Sequence, residues 1–436
     1  MSLTASFLNL VVLLLSWALP CFALESAAQL TGHWDGTMIR EGVPMEVSFD
    51  FKVSGPQPTG TFTSLTQNAM DYPLDVLTVN ADAVHFVLGG SMVFDGNLDA
   101  NQIVGTFAYD SAKGNFVLHR SKANALPYDA LDVRFHNGPV TLSGTLCMPR
   151  SSGRHAAVVL LQGSGDETRW GTNRFVADRF ARSGIAALVY DKRGVGASTG
   201  DWKTSSYDDL ANDAIAGIDL LASRSDIDAK RIGLHGHSEG GIVAPMAAVR
   251  APSKVAFLVA EDTVAGLVRD QDVYRVSHQI RQAGFSDTQV ERALDLYKLM
   301  IEVLRGAKPR HELEVAGQSV RNEEWYQWLA IPPENSYLWN WYPKVGNIDT
   351  LVFWKQVRAP VLLVYGEHDE LEPVDESLAK IEASLDGVKT SYAAVIVPKA
   401  QHNLTVQPEL GAPFFWWKAA PGVTDLVVAW VRHTTE

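Results

Sequence analysis

The chain has 436 residues, 46% hydrophobic and 20% charged, enough to bury a sizeable core across two domains or one large domain with insertions. That composition excludes a disordered, collagen-like or polytopic membrane protein. With 37 basic against 50 acidic side chains the formal charge is -13, which repels a phosphate backbone and argues against nucleic acid as a partner.

The stretch from Leu8 to Leu19 (LNLVVLLLSWAL) is almost wholly apolar. It is too short to span a bilayer and has the length of a signal-peptide core. Pro20 breaks it, and Cys21-Phe22-Ala23 offers small residues at the -3 and -1 positions of a cleavage site. Residues 1-23 are therefore read as an export signal of a periplasmic or secreted protein, with no stable membrane insertion after cleavage. No Lys or Arg precedes the apolar run, which leaves an uncleaved anchor as the alternative. The two cysteines are Cys21 and Cys147, so cleavage after Ala23 leaves no internal disulfide to form.

Residues 28-122 read as short strands. MEVSFDFKV, AVHFVL and IVGTFAY alternate between Gly, Asn, Asp and Pro turns. A small antiparallel all-β domain, barrel or sandwich, is expected there. Gly-Thr-Phe occurs at Gly60 and Gly105, which is too little to establish a repeat. An accessory role is the plainer reading, with ligand capture as the alternative.

From residue 125 to 436 the period changes. After an opening hairpin (LDVRFHNGPVTLSGTLCMP), apolar strands alternate with helices, the pattern of an α/β fold with a mostly parallel sheet and helices on both faces. Strands are expected at Ala156 to Leu161, Ala186 to Tyr190, Arg231 to His235, Val255 to Ala260, Pro360 to Tyr365 and Tyr392 to Val397. Ser205 and Asp208 are spaced as a capping box for the helix that follows. Residues 262-346 interrupt the alternation with a helical pattern rich in tryptophan, which reads as a lid. Its Trp325, Trp328 and Trp341 are placed to cover a site.

The strand RIGLH runs into Gly236-His237-Ser238-Glu239-Gly240, and a helical IVAPMAAVR follows. G-x-S-x-G between a strand and a helix is a nucleophile elbow, which strains the serine backbone and lifts its hydroxyl above the sheet edge. A serine nucleophile needs a base, and the base an orienting acid. Later strands end in Gly366-Glu367-His368-Asp369 and Pro398-Lys399-Ala400-Gln401-His402, so His402 is the expected base and Asp369 the acid. Glu367, Glu261 and Asp262 are alternative acids. The oxyanion donors are expected to be the backbone N–H of Glu239 and that of Ser164, with Gly165 as the alternative to Ser164. Asp191, Arg193 and Ser198 read as a structural turn network. No HExxH or cysteine cluster occurs, so no metal or cofactor is expected.

The ordered motifs LLQGSG, YDKRGVGASTGDW, GLHGHSEGG, VYGEHD and PKAQHN resemble the α/β-hydrolase superfamily. The closer likeness is to bacterial exported esterases related to dienelactone hydrolases and serine aminopeptidases. Gln162 stands where a histidine is common, and Asp166-Glu167 where Pro-Gln is common. The resemblance implies a serine hydrolase that cleaves a small-molecule carboxylic ester through an acyl-enzyme. The alternative is an exported peptidase or amidase, and a more distant one is a non-catalytic binding relic.

Overall fold

The computed structural model describes residues 29-53, 58-409 and 411-436; the export signal read at residues 1-23 lies outside them. The chain forms two compact units.

The first unit is built on one antiparallel sheet of nine strands, from β1 (Gly32–Arg40) to β9 (Ala112–Ser121). Each strand pairs with its neighbour in sequence except at the two edges, Ala69–Pro73 and Val76–Asn80, while β1 and β9 pair with each other. One face supplies a single core of Trp34, Phe49, Phe62, Phe86, Phe94 and Phe116. A sheet that buries one face against itself must curl. The Gly-Thr-Phe glycines sit where neighbouring strands approach closely: a Cβ at Gly105 would fall 2.1 Å from the Asp95 carbonyl oxygen and 2.7 Å from the Phe116 ring, and one at Gly60 would fall 2.7 Å from Leu74 and 2.9 Å from Phe51. The interior is filled with aromatic side chains.

The boundary expected at residue 122 is incomplete, because Trp170–Phe175 and Pro408–Lys418 also belong to this unit. Met70 and Gly171 form a β-bridge. Arg174 pairs with Asp71 at 3.0 Å, and Trp416 donates its indole N–H to the Val43 carbonyl at 2.9 Å. These segments are too short to carry a period of their own.

The second unit holds an eight-stranded mixed sheet. Its order is Tyr128–Asn137, Val140–Pro149, Ala186–Tyr190, His155–Leu161, Ile227–His237, Leu258–Glu261, Val361–Gly366 and Tyr392–Val397. The first two pairings are antiparallel and the other five parallel. Residues of one parity, including Val159, Leu188, Leu234 and Leu363, form a core with helices α2 (Tyr207–Ala222) and α3 (Glu239–Arg250). Residues of the other parity meet α1 (Thr172–Arg182) and the helix Val423–Thr435, where Phe180 lies 6.2 Å from His235 and Phe257 lies 6.5 Å from Trp430. The capping box of α2 uses Ser206 and Asp209, one residue beyond the expected pair. Ser205 is engaged elsewhere: its hydroxyl accepts from Arg193 at 3.0 Å and donates to the Asp201 carbonyl at 2.8 Å.

Between Leu258–Glu261 and Val361–Gly366 the chain forms helices α4 (Val268–Gln282), α5 (Asp287–Leu304), α6 (Arg310–Val320) and α7 (Leu338–Val345). They build their own core around Trp325, Leu296 and Ile301. The three tryptophans expected over the site therefore separate. Trp325 is fully buried in that core and Trp328 is 41% exposed. Trp341 packs against both that core and the main one, edge-on to Trp202 and Tyr207 at 6.0 and 6.2 Å.

Candidate active site

Ser238 ends the strand Ile227–His237 at φ 53° and ψ -117°, a conformation an L-residue holds only when its surroundings impose it. The flanking glycines permit the turn. A Cβ on Gly236 would fall 2.1 Å from the Gly240 carbonyl oxygen, and one on Gly240 would fall 2.7 Å from that of Leu161. The Ser238 amide donates to the Glu261 carbonyl at 2.9 Å, which pins the elbow to the next strand.

His402 follows the last strand of the sheet. Its Nε2 lies 3.1 Å from Ser238 Oγ and its Nδ1 lies 2.9 Å from Asp369 Oδ2. An ionised carboxylate only accepts, so the proton sits on Nδ1 and leaves Nε2 as acceptor for the serine hydroxyl. The other Asp369 oxygen accepts the amides of Leu371 at 2.8 Å and Glu372 at 3.0 Å. The three side chains singled out from the sequence are thus in hydrogen-bond contact.

The alternative acids are committed elsewhere. Glu367 is half exposed and accepts the Lys399 amide at 2.8 Å. Glu261 pairs with His235 at 3.1 Å. Asp262 accepts the Gly366 amide at 2.9 Å, and its other oxygen faces His237 Nε2 at 3.7 Å. Burial holds the Asp262 carboxyl above the usual carboxylate range. Burial opposes the charge on His237, yet the nearby Asp262 and Glu261 carboxylates keep its pKa above the ordinary value. His237, Asp262 and His402 bring ligand atoms within 4.8 Å of one another. Both ring nitrogens of His402 are already engaged, Nδ1 by Asp369 and Nε2 by Ser238.

The loop after His155–Leu161 runs beside the elbow: a Cβ on Gly163 would lie 3.6 Å from His237 Nδ1 and 4.0 Å from Ser238 Cβ. The Glu239 amide is the first of α3 and has no carbonyl to bond within the helix. Ser164 is next in that loop, and Gly165 follows at φ 94°. The turn network is self-contained. Asp191 accepts the Arg169 and Ala197 amides, both at 3.0 Å, Ser198 donates to the Asp191 carbonyl, and Arg193 forms a bidentate pair with Asp213.

One feature escapes sequence reading. Lys192, between Asp191 and Arg193, turns its ammonium onto the Glu239 carboxylate, and both side chains are buried. Only the burial of a lysine next to a glycine-rich turn could have hinted at it, and burial is not written in a four-residue DKRG.

An elbow serine at the carboxyl end of a central strand, flanked by helices on both faces of the sheet, belongs to the α/β-hydrolase superfamily. A family model for the X-Pro dipeptidyl-peptidases (S15 family) matches residues 137-402, and the chain belongs to that family; it is a hydrolase. The quorum-quenching protein AidA of Acinetobacter baumannii is 25% identical over 274 residues, covering 58% of this chain and 84% of AidA. Esterase EstD of Thermotoga maritima is 30% identical over 126 residues, 27% of this chain and 30% of EstD. Among solved structures, DcsB with a substrate analogue aligns at a TM-score of 0.47 and 17% identity, over 70% of this chain and 99% of DcsB. Est1E of Butyrivibrio proteoclasticus, bound to ferulic acid, aligns at 0.45 and 16% identity, over 69% of this chain and 96% of Est1E.

Proposed function

We propose that this protein is a serine esterase that cleaves small-molecule carboxylic esters through an acyl-enzyme. The observation that carries the reading is His402, which bridges Ser238 Oγ and Asp369 at 3.1 and 2.9 Å. Ser238 Oγ attacks the ester carbonyl carbon while its proton passes to His402 Nε2, and Asp369 stabilises the imidazolium. The carbonyl oxygen becomes an oxyanion held by the Glu239 and Ser164 amides. Its collapse breaks the carbon–oxygen bond, and His402 returns the proton to the departing alcohol. Water then attacks the acyl-enzyme with His402 as base, releasing the carboxylic acid and restoring Ser238. The residues named need no metal or cofactor for these steps.

Membership of a peptidase family favours a second reading, in which the same residues cleave a peptide or amide. The apolar run at residues 8-19 supports export to the periplasm or medium; no helix of the described residues is long and apolar enough to cross a membrane.

The test is a fluorophosphonate label followed by a substrate panel. Wild type should label at Ser238 and hydrolyse p-nitrophenyl esters faster than aminoacyl or X-Pro p-nitroanilides. Ser238→Ala should fold, fail to label, and lose about three to six orders of magnitude in kcat. More than a tenth of the activity left in Ser238→Ala would refute the assignment, and faster anilide cleavage would favour the peptidase.

A further inference from the structure

Glu239 follows the elbow serine, yet its side chain turns inward and is 1% exposed against a Lys192 that is 2% exposed. Lys192 Nζ also donates to the Gly163 carbonyl at 3.0 Å and lies 4.8 Å over the Trp202 ring. The second Glu239 oxygen accepts from Ser164 Oγ at 3.5 Å, and Tyr207 faces the same carboxylate. One carboxylate is therefore tied to both stretches of backbone that flank Ser238. Burying a charge pair is costlier than burying an apolar pair of the same shape. A carboxylate this close to a developing oxyanion would also oppose it unless neutralised.

We infer that Lys192 is a positioning residue of the hydrolytic site. Its ammonium cancels the Glu239 charge and fixes the Gly163 carbonyl, so that Glu239 can hold the Ser164 loop without repelling the oxyanion. The inference rests on the proposed Ser238 hydrolase reading. It makes the two charges unequal: loss of the cation leaves an opposing anion in place, whereas loss of the anion does not.

The experiment compares Lys192→Met, Glu239→Gln and the double variant with wild type on p-nitrophenyl acetate between pH 5.5 and 9, with folding followed by near-ultraviolet circular dichroism. Lys192→Met should lose about 100-fold in kcat at pH 8 with KM within about threefold. Glu239→Gln and the double variant should each lose less kcat than Lys192→Met, because neither leaves a carboxylate beside the oxyanion. A Lys192→Met kcat within threefold of wild type, or equal losses in Lys192→Met and the double variant at every pH, overturns the inference and leaves the hydrolase reading standing. If Lys192→Met does not fold, the double variant decides, and a hundredfold loss there overturns it. A wild-type chain inert to both p-nitrophenyl acetate and fluorophosphonate overturns the hydrolase reading, and this inference with it.

Discussion

Replacing Asp369 by Asn tests the acid through its hydrogen bonds. One Asp369 oxygen accepts two backbone amides, at 2.8 and 3.0 Å, and the other accepts from His402 Nδ1 at 2.9 Å. An asparagine has a single acceptor oxygen, and the two amides, which can only donate, claim it. Its NH2 must then face Nδ1, which becomes the acceptor, and the imidazole proton moves to Nε2. In that tautomer Nε2 donates toward Ser238 Oγ and cannot take the serine proton. The loss expected for a wrong tautomer is about 10⁴-fold in kcat, or about 5.5 kcal/mol of transition-state stabilisation. Asp262→Asn and Glu367→Gln should each cost less than about tenfold, since neither side chain touches His402. The assay is the initial rate of p-nitrophenyl ester hydrolysis at saturating substrate, on variants whose circular dichroism matches wild type. If Asp262→Asn proves the more damaging, the tautomer argument fails and the acid lies on the neighbouring strand.

Glu372 is 1% exposed and one of its oxygens has no hydrogen-bond partner among the described residues; burial, then the charges of Asp369, Asp262 and Asp272, hold its carboxyl well above the usual range. The folded chain keeps a proton that the unfolded chain releases, so the stability this group contributes at low pH is lost as pH rises above the ordinary glutamate value. Glu372→Gln should raise the apparent Tm at pH 8, by about 2–4 °C for each kcal/mol recovered, and change it little at pH 4. Equal shifts at both pH values would contradict this. Trp341→Ala should lower stability by about 2–3 kcal/mol and change the ratio of kcat/KM between short and long esters, whereas Trp328→Ala, at 41% exposure, should stay within about 0.5 kcal/mol of wild type in denaturant titrations.

The sequence makes some of this site legible for physical reasons. Ser238, Asp369 and His402 each follow a strand of the central sheet, and such residues gather at one sheet edge whatever lies between them in the chain. Choosing Asp369 over Asp262 needs coordinates, because both follow strands and only the side-chain direction separates them. Lys192 is hidden differently: its partner is 47 residues away, and no local period links them. Trp325 misleads because a tryptophan that fills the helical insert's own core looks, in one dimension, like one that covers a site. The capping box shows the resolution limit of spacing rules, since Ser205 and Ser206 are adjacent and only the bonds to Arg193 and Asp201 tell them apart.

The β unit draws on three separate stretches of chain, the last of them Pro408–Lys418. Trp416 completes its core and bonds the Val43 carbonyl, 373 positions earlier. During synthesis the first nine strands emerge long before this residue does. Contacts between such distant partners form slowly, because the intervening chain must be closed into a loop first. The nascent sheet therefore lacks the Trp416 contact until Pro408–Lys418 has been made. A chain begun at Ala125 would in turn leave Trp416 and Trp417 without their partners and Arg174 without Asp71, so aggregation rather than lost chemistry is the first thing to look for in such a truncation.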